Sequence, residues 1–137
     1  MDKYDVGLAG EDAAAEYLIR AGYRIISRRH RSGHLETDII AADSKYILFA
    51  EVKTRRAFPG GAHPYGTPGS AVGYKKSANL IAAAEDFLRN HRGEISGLQP
   101  RIDIIEVYAD PRADGFRLVR LNHIKNAVQK RRGTEAR

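Results

Sequence analysis

Asp38, followed after twelve residues by Glu51-Val52-Lys53, brings together the residue types that phosphate chemistry uses. Side chains alternate along a strand, so Glu51 and Lys53 share one face, while Val52 joins Tyr46, Leu48 and Ala50 on the other. Asp43-Ser44, between two apolar runs, reads as a two-residue hairpin turn that pairs 42 with 45, 40 with 47, 38 with 49 and 36 with 51. Glu36, Asp38, Glu51 and Lys53 then lie on one face beside Ile40, Ile47 and Phe49. A register change of odd parity would scatter them. Two carboxylates held close together repel, and a hard cation such as Mg²⁺ or Mn²⁺ between them removes the repulsion. Oxygen donors without cysteine favour that class of ion over zinc. A lysine beside the cation orients the attacking water and offsets charge growing on a phosphorane-like transition state, and the metal supplies Lewis acidity. Together these parts suit phosphodiester hydrolysis. The plain alternative is that Glu51 and Lys53 form an ion pair on an exposed sheet face.

The elements that must position these residues can be read from periodicity. Residues 4–21 have helical spacing, with Leu8, Ala15, Leu18 and Ile19 on one face and Gly22 at the C-terminal cap position. Glu11 lies on that same face, so its carboxylate points toward whatever the helix packs on, unless it only complements the helix dipole. Strands are expected over 23–29, 35–42 and 45–54, and Ser32-Gly33 marks a turn. Residues 55–73 hold Pro59, Pro64 and Pro68 among several glycines and read as a functional loop. Leu80, Ala83, Ala84, Phe87 and Leu88 give a second helix within 72–90. Strands over 101–108 and 116–121 and a short helix over 122–130 complete the order. This succession implies a layered α/β domain, a mixed central sheet with helices packed on it.

A chain of 137 residues fits one domain with a real apolar core, and 42% hydrophobic with 29% charged residues is the composition of a globular protein. No segment approaches the roughly 18 to 20 apolar residues of a spanning helix, and the N-terminal residues lack the basic and apolar regions of an export signal. No membrane association is expected. The absence of cysteine suits a reducing cytoplasm and removes thiolate zinc sites and cysteine nucleophiles. His30 and His34 have the spacing of helical zinc ligands, but Gly33 between them argues against that helix. Phosphate-binding Gly-x-x-x-x-Gly-Lys and nucleophile Gly-x-Ser-x-Gly strings are absent. The net charge of +6 is concentrated after residue 50, where 16 Lys and Arg face 9 Asp and Glu, and such a surface attracts polyanions. The basic run 28–31, including Arg29 and Arg31, could form a track for a phosphate backbone with the loop. Arg55 and Arg56 directly follow the acidic site and are placed to grip flanking phosphates, and Lys76 reaches inward or snorkels.

Asp38…Glu51-Val52-Lys53 resembles the core of the PD-(D/E)xK nuclease superfamily, with Thr37-Asp38 in place of proline-aspartate. Gly10-Glu11…Ala14…Tyr17-Leu18…Gly22-Tyr23, Glu36-Thr37-Asp38-Ile39-Ile40 and Phe49-Ala50-Glu51-Val52-Lys53-Thr54-Arg55 are similar to the YraN-like family of uncharacterised bacterial proteins, related to archaeal Holliday junction resolvases. Later matches include Lys76, Leu80 and the run 101–107, so the likeness spans roughly residues 7 to 127. It departs upstream, where His34-Leu35 separates Gly33 from Glu36 and Thr37 replaces an apolar residue. The resemblance implies a restriction-endonuclease-like fold and Mg²⁺- or Mn²⁺-dependent cleavage of DNA. It makes Asp38 and Glu51 metal ligands, Lys53 the catalytic lysine and Glu11 an extra catalytic acid from the first helix. The chain is expected to form one nuclease-like domain, 1–127, followed by a basic tail, 128–137.

Three functions follow as expectations. The first is a metal-dependent endonuclease acting on DNA, branched or structured DNA included, in which a homodimer would supply the two sites that junction cutting needs. The second is a non-catalytic nucleic-acid-binding module that keeps the nuclease fold. The third is a protein-interaction adaptor using the proline-rich loop 59–68. Asp103, among apolar strand residues, is expected to hydrogen-bond a loop or basic residue.

Overall fold

The computed structural model describes residues 3–58 and 74–129, with side chains from 5–58 and 77–129. Two helices, α1 (Lys3–Arg20) and α2 (Tyr74–Asn90), and five strands, β1 (Arg24–Ser32), β2 (Leu35–Ala42), β3 (Tyr46–Arg56), β4 (Gln99–Ala109) and β5 (Leu118–Val128), are formed among the described residues. The strands form one sheet in the order β1-β2-β3-β4-β5, antiparallel throughout except for the parallel pair β3 and β4. No helix among the described residues is long and apolar enough to cross a membrane.

Alternation along the central strands makes two cores. Ile39, Ala41, Leu48, Ala50, Ile105 and Val107 pack on Ala14, Ala15 and Leu18 of α1, whereas Ile40, Ile47, Phe49, Ile102 and Ile104 pack on Leu80, Ala84 and Phe87 of α2. The sheet is therefore sandwiched, α1 on one face and α2 on the other, in the α/β architecture that the element order implied. Gly22, with φ of 100°, ends α1 in the cap geometry that favours glycine, and the Tyr23 amide donates back to the Leu18 carbonyl.

Three features differ from the sequence reading. The β2–β3 turn is longer than two residues: 42 pairs with 47 and 39 with 50, because Asp43 accepts hydrogen bonds from the Lys45 and Tyr46 amides and closes a wider Asx turn. The shift of two preserves parity, so the face assignments survive. Arg55 and Arg56 belong to β3 rather than to the loop, since the parallel ladder continues to the pairs Arg55 with Tyr108 and Arg56 with Ala109. The expected helix over 122–130 is strand instead, with β5 running from Leu118 to Val128. Its alternation is broken between Ile124 and Val128, where Asn126 takes a φ of 53° and its amide donates to Asp103 at 2.9 Å. Residues 59–73 and 130–137, which hold the proline-rich loop and most of the basic tail, lie outside the described residues.

Candidate active site

The β2–β3 ladder stops at the pair Ile39 and Ala50, so Asp38 and Glu51 are the next residues in register, directly opposite each other where the strands part. In place of a ladder carbonyl, the Asp38 carboxylate accepts the Val52 amide at 2.8 Å. The parting of the strands is thus what frees an acidic side chain to sit between them. Burial pushes the Asp38 carboxyl up to about 7, the Val52 hydrogen bond works against that rise, and the nearby Glu51 and Glu11 add to it. Lys53 follows on the same face, its Nζ 3.3 Å from a Glu51 oxygen. Glu51 is nearly closed to solvent, whereas Lys53 keeps about a third of its side chain exposed.

Glu11 arrives from α1. Gly10 makes this possible: a Cβ there would lie 2.1 Å from Thr54 Oγ1, so only glycine lets the helix come this close to β3. The Glu11 carboxylate, 9% exposed, accepts from Arg28 at 3.1 Å and from Arg29 at 3.2 Å. Arg28 also bonds Asp12 at 2.8 Å. Arg29 has a φ of 52°, a conformation that asparagine or glycine adopts at less cost, and it stands between the ladder pairs Arg28 with Ile39 and His30 with Thr37. Arginines 28 and 29, adjacent in sequence, consequently both reach α1.

An open cleft of about 1190 Å³ lies at this end of the sheet. Glu11, Glu36 and Asp38 line it together with Arg29, Arg31, Arg55 and Arg56, and its far wall is the β4–β5 turn from Asp110 to Phe116. Glu51 and Lys53 are not part of that lining. The cleft borders the carboxyl end of the parallel pair, where α/β sheets commonly bind ligands. Lys76 lies in α2, and its side chain is outside the described residues.

Sequence reasoning missed a second buried cluster. Glu106, 1% exposed, is paired across the parallel ladder with Lys53, forms an ion pair with Arg55 at 3.3 Å and accepts hydrogen bonds from Asn122 at 3.2 Å and the Tyr108 hydroxyl at 3.3 Å. Arg55 therefore lines the cleft while tied from behind to a buried carboxylate. The only hint in the sequence was a charge inside the apolar run 104–107. Asp103 is structural: it accepts from Arg101, from His123 at 2.7 Å and from the Asn126 amide, and His123 meets the Tyr17 hydroxyl at 2.8 Å. Burial raises its carboxyl, but these donors outweigh burial and hold it below the usual range.

The model of the uncharacterised protein family UPF0102 matches residues 10–107, which span Glu11, Asp38, Glu51, Lys53 and Glu106. The chain belongs to UPF0102. This is the assignment that the YraN-like residues implied. Members similar to it include a UPF0102 protein of Caldanaerobacter subterraneus subsp. tengcongensis, 35% identical over 93% of this chain and 97% of the relative. Another, from Symbiobacterium thermophilum, is 45% identical over 89% of this chain and 94% of its own. Among solved structures, Hjc of Archaeoglobus fulgidus, a Holliday junction resolvase, is similar with a TM-score of 0.44 and 20% identity, covering 88% of this chain and 89% of that one. The chain matches both of the named UPF0102 relatives along nearly their whole length.

Proposed function

We propose that this UPF0102 protein is a metal-dependent endonuclease that hydrolyses phosphodiester bonds in DNA, branched or structured DNA in particular. The observation that carries the reading is the Asp38–Glu51 pair, opposed where β2 and β3 part, with Lys53 at 3.3 Å from Glu51. Two opposed carboxylates, one of them pushed up by burial and by its acidic neighbours, mark a place where a divalent cation would relieve repulsion, and the all-oxygen donor set fits Mg²⁺ or Mn²⁺. Two carboxylates suffice for such an ion, which keeps several waters and takes the remaining oxygens from a phosphate. When bound, the metal would supply Lewis acidity and a more acidic water.

This chain's own residues would do the rest. The Val52 amide fixes the Asp38 carboxylate, and Glu51 holds the Lys53 ammonium, so that it can orient a water and offset charge on the phosphorane. Arg29, Arg31, Arg55 and Arg56 supply the positive wall against which a phosphate backbone lies. Glu11, gripped by Arg28 and Arg29, holds that wall and adds the helix's negative charge to the acid pair. A homodimer would present two such clefts to a four-way junction.

A second reading keeps nucleic-acid binding without cleavage. The ion pairs of Glu11 with two arginines favour it, because they already neutralise one of the acids. Labelled duplex, single-stranded, flapped and four-way-junction DNA incubated with Mg²⁺ or Mn²⁺ separates the two. Asp38→Ala and Lys53→Ala are expected to lower cleavage at least about 100-fold while binding persists. Binding by the native protein with no metal-dependent cleavage would make the binding module the answer.

A further inference from the structure

Beyond the acidic cluster, one aromatic side chain close in sequence to the cleft-lining Arg55 and Arg56 is open to solvent. Phe58 is 52% exposed, the one aromatic among the large apolar side chains that the described residues leave open to solvent. It is held firmly all the same. Ala57, buried at 2%, donates its amide to the Ala109 carbonyl at 3.0 Å and extends the β3–β4 pairing up to Phe58. The Arg112 guanidinium lies over the ring, 4.9 Å from its centroid, and is itself steadied by Asp110 at 3.3 Å. Asp110 and Arg56 both line the cleft, so the Phe58–Arg112 pair sits on its rim.

We propose that Phe58 and Arg112 form a stacking platform for an unpaired nucleobase. The proposal rests on the nucleic-acid reading above and names the form of the strand that this end of the cleft takes. A duplex keeps its base faces stacked inside and offers a rim only phosphates; a single-stranded segment offers π-faces, which an open phenyl ring and a planar guanidinium both bind. The arginines along the cleft suit the backbone that connects such a base to the cutting site. Five residues of extended chain separate Lys53 from Phe58, about 16 Å, so the stacked base is not the nucleotide being cut. The cut would fall in or beside duplex while an unpaired arm rests on Phe58.

The test compares binding of a single-stranded oligonucleotide, a flap and a fully paired duplex, each carrying 2-aminopurine, to the full chain in the absence of divalent metal. Phe58→Ala is expected to weaken the single strand and the flap by about 5- to 150-fold and to abolish quenching of the probe base. The duplex should move less than about 2-fold, and Phe58→Trp should retain the preference. Because Phe58 is exposed, thermal melting of Phe58→Ala should match the native chain; a lowered melting temperature with equal losses on all three DNAs would show that the pair merely braces the β4–β5 turn. Native binding whose preference among DNAs survives Phe58→Ala overturns the platform and leaves the nuclease reading standing. Failure of the native protein to bind any of the DNAs overturns both.

Discussion

Asp38 releases its proton near the ordinary carboxylate value in the unfolded chain and only at about 7 in the fold, so the folded state binds more protons across that window. Folding stability therefore carries no penalty from Asp38 below about pH 4, loses ground as pH rises, and bears the whole penalty above about pH 7. Asp38→Asn keeps an oxygen for the Val52 amide and removes the charge. Its melting temperature should exceed that of the native protein by about 3–8 °C at pH 8, and the gain should shrink to about a quarter of that at pH 4.5, without divalent metal. An equal gain at both values would place the cause elsewhere than in this carboxyl. Asp38, Glu51 and Lys53 were legible in the sequence because strand alternation alone puts chemistry-bearing groups on one face, and the register error preserved parity. Glu106 was not legible: its partners Arg55, Tyr108 and Asn122 come from three different strands, and only the folded sheet brings them together.

Among elements, α1 is placed by an absent side chain. Gly10→Ala would drive a methyl into Thr54 Oγ1 and lie 3.1 Å from the Thr54 Cβ and Cγ2, so the helix must lift from β3 and carry Glu11 with it. A destabilisation of about 1–3 kcal/mol is expected, and in a double-mutant cycle Thr54→Ala should restore much of it. Additive losses in that cycle would exclude the contact. Helix α1 and strand β2 were readable because their periodicity is local. Strand β5 was misread as a helix because the Asn126 irregularity interrupts its alternation, and what holds that irregularity, Asp103, lies more than twenty positions away in β4.

Over the whole molecule, the charge of +6 makes binding to a phosphate backbone depend on salt. The slope of log affinity against log salt should fall in magnitude by about 1 for each of Arg31→Ala and Arg56→Ala, as expected of phosphate contacts. A salt-independent interaction would return the protein-adaptor function to consideration. The parallel pairing of β3 with β4 also bears on how the chain finds its fold. Strands β1, β2 and β3 close locally as a meander, whereas β4 reaches β3 only after the long connection through α2. Loop closure makes that pairing slow, so the meander should gain hydrogen-exchange protection first. Asp38 and Glu51 both belong to the meander: the acid pair comes together early, before Glu106 and the far wall of the cleft exist, and the nascent hairpin must tolerate its own repulsion until the rest of the sheet arrives.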